Sequence, residues 1–114
     1  MAGDLGNAVL QALEESVKLE WSTAALADLD RFAAFLQDRH PRLAKIVAAE
    51  ILKRAQVLLA HPELGRPISG RPEYREIALQ VLNAIYIFQY RYDRERIVIL
   101  RVFHGREARG GEHS

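Results

Sequence analysis

IYIFQYRYDRERIVILRVFHG, residues 85–105, holds two runs rich in β-branched and aromatic side chains, separated only by Asp93-Arg94-Glu95. So short a polar gap leaves no room for a crossover, so Ile85–Tyr92 and Arg96–His104 are expected to pair as antiparallel neighbours. Ile97-Val98-Ile99-Leu100 is apolar at every position, the pattern of a strand inside a sheet and covered on both faces. Regular alternation puts Arg101 on one face with Ile97, Ile99 and Phe103, and puts Val98, Leu100, Val102 and His104 on the other. Arg101 then interrupts an apolar face, the one expected to point away from any helical layer. A guanidinium there needs a partner, because an unpaired buried charge destabilises strongly. Glu76 and Glu20 are the candidates for an ion pair; the functional alternative is a concave cationic face that Arg101 shares with Arg75 and Arg91.

Upstream, Tyr74–Val81 gives a third strand, and Val81-Leu82-Asn83-Ala84 is the turn into the next, with Asn83 expected to take the left-handed backbone. His61-Pro62-Glu63-Leu64-Gly65-Arg66-Pro67 reads as a loop that continues through Gly70-Arg71-Pro72, on the strength of its prolines and glycines. Before it, Leu43, Ile46, Val47, Ile51, Ala55, Leu58 and Leu59 form the apolar stripe of a helix from about Pro41 to Ala60. A second stripe, Leu26, Leu29, Phe32, Ala33 and Leu36, predicts a helix that starts at a Ser22 or Thr23 cap and runs to about Arg39. His40-Pro41 separates the two, and a link that tight folds them into a hairpin. Val17–Trp21, VKLEW, alternates as a half-buried strand.

The order strand, helix, helix, three strands has one economical solution in the α+β class. It is a three-stranded antiparallel meander, with the first strand added beside the last and the helical hairpin packed on one face of the sheet. Trp21 is expected to plug the helix–sheet interface. Trp21, Phe32 and Phe88 should dominate stability, since burying such a ring is worth roughly 1.5–3 kcal/mol.

The 114 residues suit one domain, placed at 17–109, with an extension over 1–16 and a tail over 110–114. The extension has a short helical pattern, Val9, Leu10 and Leu13, which suits a docking arm, a tag remnant, residues added by an upstream start site or a loosely held end. Residues 17–109 hold all 16 Lys and Arg but 11 of the 15 Asp and Glu, a charge of +5, which is mildly basic and too dilute to argue for nucleic acid alone. The absence of cysteine removes thiolate chemistry, and no histidine pair has metal-ligand spacing, so no cofactor or metal is expected. No apolar run approaches a membrane span and no basic signal opens the chain, which predicts a cytoplasmic protein with no membrane partner.

Four stretches in register now carry a resemblance: Trp21-Ser22-Thr23-Ala24-Ala25-Leu26-Ala27-Asp28-Leu29, His61-Pro62-Glu63-Leu64-Gly65-Arg66-Pro67, Tyr74-Arg75-Glu76, and Ile97 to Arg106. Together they resemble the RelE/ParE superfamily of toxins from bacterial type II toxin–antitoxin modules, and the fold implied is the one built above. The RelE branch cuts messenger RNA on the ribosome, which requires cations around a developing phosphorane and a general acid or base. The ParE branch binds and blocks DNA gyrase and needs a contact surface instead.

Arg75 matches a basic residue of the nuclease branch. That branch also opens its third strand with a phosphate-gripping arginine, where this chain has Ala84-Ile85-Tyr86-Ile87, and it carries lysines where this chain has Glu76-Ile77-Ala78-Leu79. The resemblance is therefore closer to ParE, a gyrase inhibitor neutralised by a cognate antitoxin; an altered ribosome-dependent nuclease and an inactive homologue are the alternatives. No catalytic residue is assigned for an inhibitor; a nuclease would use Arg75, Arg91, His104 and Arg106. Target or antitoxin contacts are expected at Arg75, Tyr86, Tyr90, Arg91, Arg101, His104 and Arg106. Ile85, Ile87, Val98, Leu100 and the group Tyr86, Tyr90 and Tyr92 give the sheet more apolar surface than one hairpin covers. An antitoxin segment or a homodimer would hide it, the former as part of a toxin–antitoxin heterotetramer.

Overall fold

A computed structural model of the chain describes residues 18–107; the expectations for residues 1–17 and 108–114 lie outside the described residues. The chain runs β1 (Lys18–Trp21), α1 (Thr23–Leu36), α2 (Pro41–Ala55), a short α3 (Val57–Ala60), β2 (Arg66–Ile68), β3 (Arg71–Val81), β4 (Ala84–Tyr92) and β5 (Arg96–His104). The sheet order is β1-β5-β4-β3-β2, with β1 parallel to β5 and the other pairs antiparallel. The meander, the added edge strand and the helical hairpin are thus as expected, and the helices cover one face.

Ser22 starts α1 by two bonds at once. Its Oγ accepts from the Ala25 amide at 3.0 Å and donates to the Leu100 carbonyl at 2.9 Å, so the helix cap is also fastened to β5. Proline at the start of α2 supplies a preset backbone where an amide would be unpaired anyway. The second helix breaks at Gln56, so the expected single helix to Ala60 is two pieces. Ala25, Leu29 and Phe32 of α1 and Val47, Ile51 and Ala55 of α2, with Leu58 of α3, pack on Leu79, Val81, Tyr86, Phe88, Tyr90, Ile97, Ile99 and Val102.

Several local expectations are corrected. Leu26, Ile46 and Leu59, placed in the stripes, are exposed, and Ala25, Asp28 and Ala44 are buried in their place. Trp21 packs against the core yet stays partly exposed at the sheet edge, so Phe32 and Phe88 are the deeper rings. Arg66–Ile68, read as loop, is a fifth strand, tolerated despite Pro67 because it lies at the sheet edge. The β3–β4 reversal puts Leu82, not Asn83, at positive φ (55°); Leu82 packs against the core, and that contact holds a branched residue where asparagine would sit more easily.

The largest correction is in β5. Gln89 pairs with Arg101 while Tyr90 pairs with Ile99, so Leu100 is an extra residue, a β-bulge. One added residue inverts the alternation after it. Ile97, Ile99 and Val102 therefore all face the helices, and Val98, Arg101 and Phe103 do not.

Candidate binding surface

The face of the sheet opposite the helices follows from this register. β3 contributes Glu76, Ala78 and Gln80, β4 contributes Ile85, Ile87, Gln89 and Arg91, and β5 contributes Val98, Arg101 and Phe103. Ile85 is 45% exposed at one end of it. Glu76 accepts from the Gln89 amide at 3.1 Å, and the Arg101 guanidinium lies 4.8 Å from the Phe103 ring centre. One row across this face, Ala78, Ile87 and Phe103, is apolar, and in the next, Glu76, Gln89 and Arg101, each side chain already has a hydrogen-bond partner, which suits contact with another polypeptide better than binding of a phosphate.

Arg101 turns out of this face around the free edge of β5. Its Nε and Nη2 donate to both carboxylate oxygens of Asp28 at 2.9 and 3.0 Å, while the Val102 amide donates to Oδ2 at 2.8 Å. Arg31 Nη1 adds a bond to Oδ1 at 2.6 Å. Asp28 is 1% exposed. Burial opposes its ionisation but is outweighed by the Arg101 guanidinium, the Val102 amide and the Arg31 guanidinium, so the carboxyl titrates below its ordinary 3.8. Asp28 thus takes over where β1 ends: a helix carboxylate completes the strand edge that no other strand pairs among the described residues. The expected partners of Arg101 are engaged elsewhere, Glu20 with Arg96 at 3.3 Å and Glu76 with Gln89.

The network extends to His104. Arg31 donates from Nε and Nη2 to Glu107 at 3.2 and 3.0 Å, and Glu107 also accepts from the His104 amide at 2.8 Å. The His104 ring stacks edge-on against Tyr86 at 5.2 Å, and its Nδ1 accepts from the Arg106 amide at 3.1 Å. Arg106 is exposed and makes no ion pair among the described residues. Two of the cations around His104, Arg31 and Arg101, are already neutralised by Asp28 and Glu107.

Arg75 and Tyr90 work at the other edge. Arg75 Nη1 donates to the carbonyls of Glu63 and Gly65 at 3.0 and 2.7 Å. The Tyr90 hydroxyl donates to the Pro62 carbonyl at 2.7 Å and accepts from the Gly65 amide at 2.9 Å. A Cβ at Gly65 would meet that hydroxyl at 2.8 Å, which is why glycine stands there. Tyr86 and Tyr90 are buried under the helices, and burial raises the pKa of both hydroxyls. Both therefore support the surface from beneath and do not form it. Arg91 pairs with Asp93 at 3.2 Å.

The nuclease set does not assemble. Arg75 and Arg91 pair across from Tyr90 and Val98, whereas His104 pairs with Tyr86. At about 3.3 Å per residue, Arg91 and Tyr86 are separated by roughly 17 Å of strand. Sequence reasoning missed Asp28, Arg31 and Glu107. The spacing Ala25, Asp28, Leu29, Phe32 is itself a helical stripe, and a carboxylate within it was the available signal.

Comparison with known proteins agrees with this architecture. Residues 19–109 match the family model described as ParE toxin of type II toxin–antitoxin system, parDE. The chain belongs to this ParE toxin family. Toxin RelE3 of Caulobacter vibrioides is 33% identical over 91 residues, covering 80% of this chain and 97% of that one. The putative toxin Y4kP of Sinorhizobium fredii is 33% identical over 79% of this chain and 90% of its own. A chain of the chromosomal ParDE system of P. aeruginosa superposes with TM-score 0.63 at 23% identity, over 79% of this chain and 97% of that one. One from the toxin–antitoxin complex RelBE2 of Mycobacterium tuberculosis gives 0.52 at 23% identity, over 78% and 98%. These two likenesses show the shared fold. Among the described residues no helix is long and apolar enough to cross a membrane.

Proposed function

We propose that this ParE-family chain acts in the cytoplasm as a toxin that binds DNA gyrase and blocks it, and that a cognate antitoxin neutralises it by covering contact surface. The supporting observation is the dispersal of the cations. Arg75 is committed to loop carbonyls and Arg91 to Asp93, both remote from His104, while Arg101 and Arg31 are held by Asp28. A phosphorane needs unneutralised donors converging on one point, and loss of one such donor removes about 2.7–4 kcal/mol of transition-state stabilisation. The apolar residues Ile85, Ile87, Val98 and Phe103 on the open sheet face suit a macromolecular contact instead. That the structural neighbours come from ParDE and RelBE2 assemblies supports an antitoxin partner.

The test pairs two assays on one purified preparation. Micromolar chain added to gyrase and relaxed plasmid is expected to stop supercoiling, while toeprinting of a translated message shows no new cut. Unchanged supercoiling together with new ribosome-dependent cuts would replace gyrase binding by RNA cleavage at His104 and Arg106.

A further inference from the structure

Past Trp21, β1 ends, and β5 runs on from Leu100 to His104 with no neighbouring strand on that side among the described residues. Apart from Arg101, the stretch Ile97–Phe103 is made of apolar β-formers and has no proline or glycine, the composition that pairs most readily with a strand from another chain. Three backbone groups along this edge are nonetheless occupied, each by a side chain. Ser22 Oγ donates to the Leu100 carbonyl at 2.9 Å, the Val102 amide donates to Asp28 at 2.8 Å, and the His104 amide donates to Glu107 at 2.8 Å. Arg31 ties the two carboxylates together, at 2.6 Å from Asp28 and 3.0 Å from Glu107. The opposite edge strand, β2, is blunted by a different means, the proline at position 67.

We propose that Asp28 and Glu107, clamped by Arg31, stand in for a missing strand and keep a second copy of this chain from pairing along β5. A second copy is the occupant they exclude, because it brings an identical edge at the chain's own concentration, and two such edges meet antiparallel about a two-fold axis. The carboxylates act by chemistry as well as by position. An ionised carboxylate only accepts, so it satisfies the outward amides and offers no donor from which a ladder could continue. It also sets an oxygen where an incoming strand would set its own carbonyl. The two halves of the device differ in depth. Asp28 is 1% exposed and braces α1 against β5, whereas the Glu107 side chain is 41% exposed and bonds only to Arg31 and the His104 amide among the described residues. Glu107 is therefore the half that can be removed with the fold left in place.

Two variants of the full chain test this. Glu107→Ala leaves the His104 amide without its acceptor, while Glu107→Gln keeps an amide oxygen in reach of it. Light scattering over a dilution series, paired with hydrogen exchange at each concentration, reads association and the state of that amide together. Glu107→Ala is expected to self-associate at about ten-fold lower concentration than the wild type, since an edge donor left unpaired gains a partner on association. Its His104 amide should exchange rapidly in the dilute chain and slowly in the associated one. Glu107→Gln should follow the wild type in both measurements. Association of Glu107→Ala no stronger than that of the wild type, association that leaves the His104 amide fast, or a Glu107→Gln that associates as Glu107→Ala does, each overturns the proposal. All these readings need neither gyrase nor an antitoxin.

Discussion

The sheet is stitched to the rest of the chain at its two edges by different chemistry. At the β5 edge a buried carboxylate, Asp28, accepts from two guanidiniums and the Val102 amide. At the β3 edge, a neutral hydroxyl and the Arg75 guanidinium hold the 61–65 loop, with Gly65 fitted against Tyr90. The first stitch depends on charge and on every partner being present; the second depends on volume. The first should therefore fail when a charge is removed, the second when a carbon is added.

The largest effect is expected at Asp28. Asp28→Ala leaves the Val102 amide without its partner and two guanidiniums facing each other. Breaking a buried pair costs about 3–5 kcal/mol, and the low end applies because the side chains of Arg31 and Arg101 are each 42% exposed and rehydrate. A urea midpoint should fall by an amount equivalent to about 3 kcal/mol. Acidity tests the same contact. Because the folded carboxyl titrates below 3.8, the contact stabilises fully above the unfolded value and is lost as pH falls through the folded one. Below about pH 4 the wild type should lose stability more steeply with acidification than Asp28→Asn. Equal slopes would mean that Asp28 is not ionised in its site.

At the opposite edge, Gly65→Ala puts a methyl at 2.8 Å from the Tyr90 hydroxyl and 2.9 Å from the Glu76 carbonyl oxygen, where it must push backbone. Overpacking of this kind costs about 1–3 kcal/mol. Tyr90→Phe keeps the ring but leaves the Gly65 amide and the Pro62 carbonyl unpaired, at about 1 kcal/mol or somewhat more. The two changes share a contact, so the double variant should be less destabilised than the sum of the singles. Neither change should alter the acid slope, which separates this edge from the Asp28 edge. Strict additivity would show that loop and ring are not in contact.

The contrast also explains what was legible in the sequence. Period-two and period-3.6 patterns are set by burial, and burial decided the strands β3 to β5 and the two main helices. Asp28 has no such signature of its own: a carboxylate is usually solvated, yet its position between Ala25 and Leu29 puts it on the buried side. The bulge at Leu100 escaped for another reason. In an unbroken run, Ile97 to Leu100, a one-residue slip leaves the pattern of apolar residues unchanged, so only the later switch of Val102 to the core and Arg101 to the edge records it. Arg75 and Tyr90, expected at a target or antitoxin contact, bond instead to backbone atoms of the 62–65 loop, and a sequence carries no pattern for such a bond.

The smallest effect is expected where β4 ends. Among the described residues two non-glycine residues have positive φ, Leu82 before β4 at 55° and Arg94 after it at 78°. A left-handed backbone costs an ordinary residue about 1–2 kcal/mol, and glycine avoids that cost but adds about 0.5–1 kcal/mol of chain entropy in the unfolded state. Leu82 offsets its strain by packing on the core, so Leu82→Gly trades strain for a lost contact and should not stabilise. Arg94 is exposed, and the turn around it is held by Asp93, whose Oδ1 accepts from the amides of Glu95 and Arg96 at 3.1 Å each. Arg94→Gly keeps those bonds and relieves the strain, so it should stabilise by about 0.5 kcal/mol, read as a small rise in thermal midpoint. A fall in midpoint would mean that the Arg94 side chain contributes more at this sheet end than its exposure indicates.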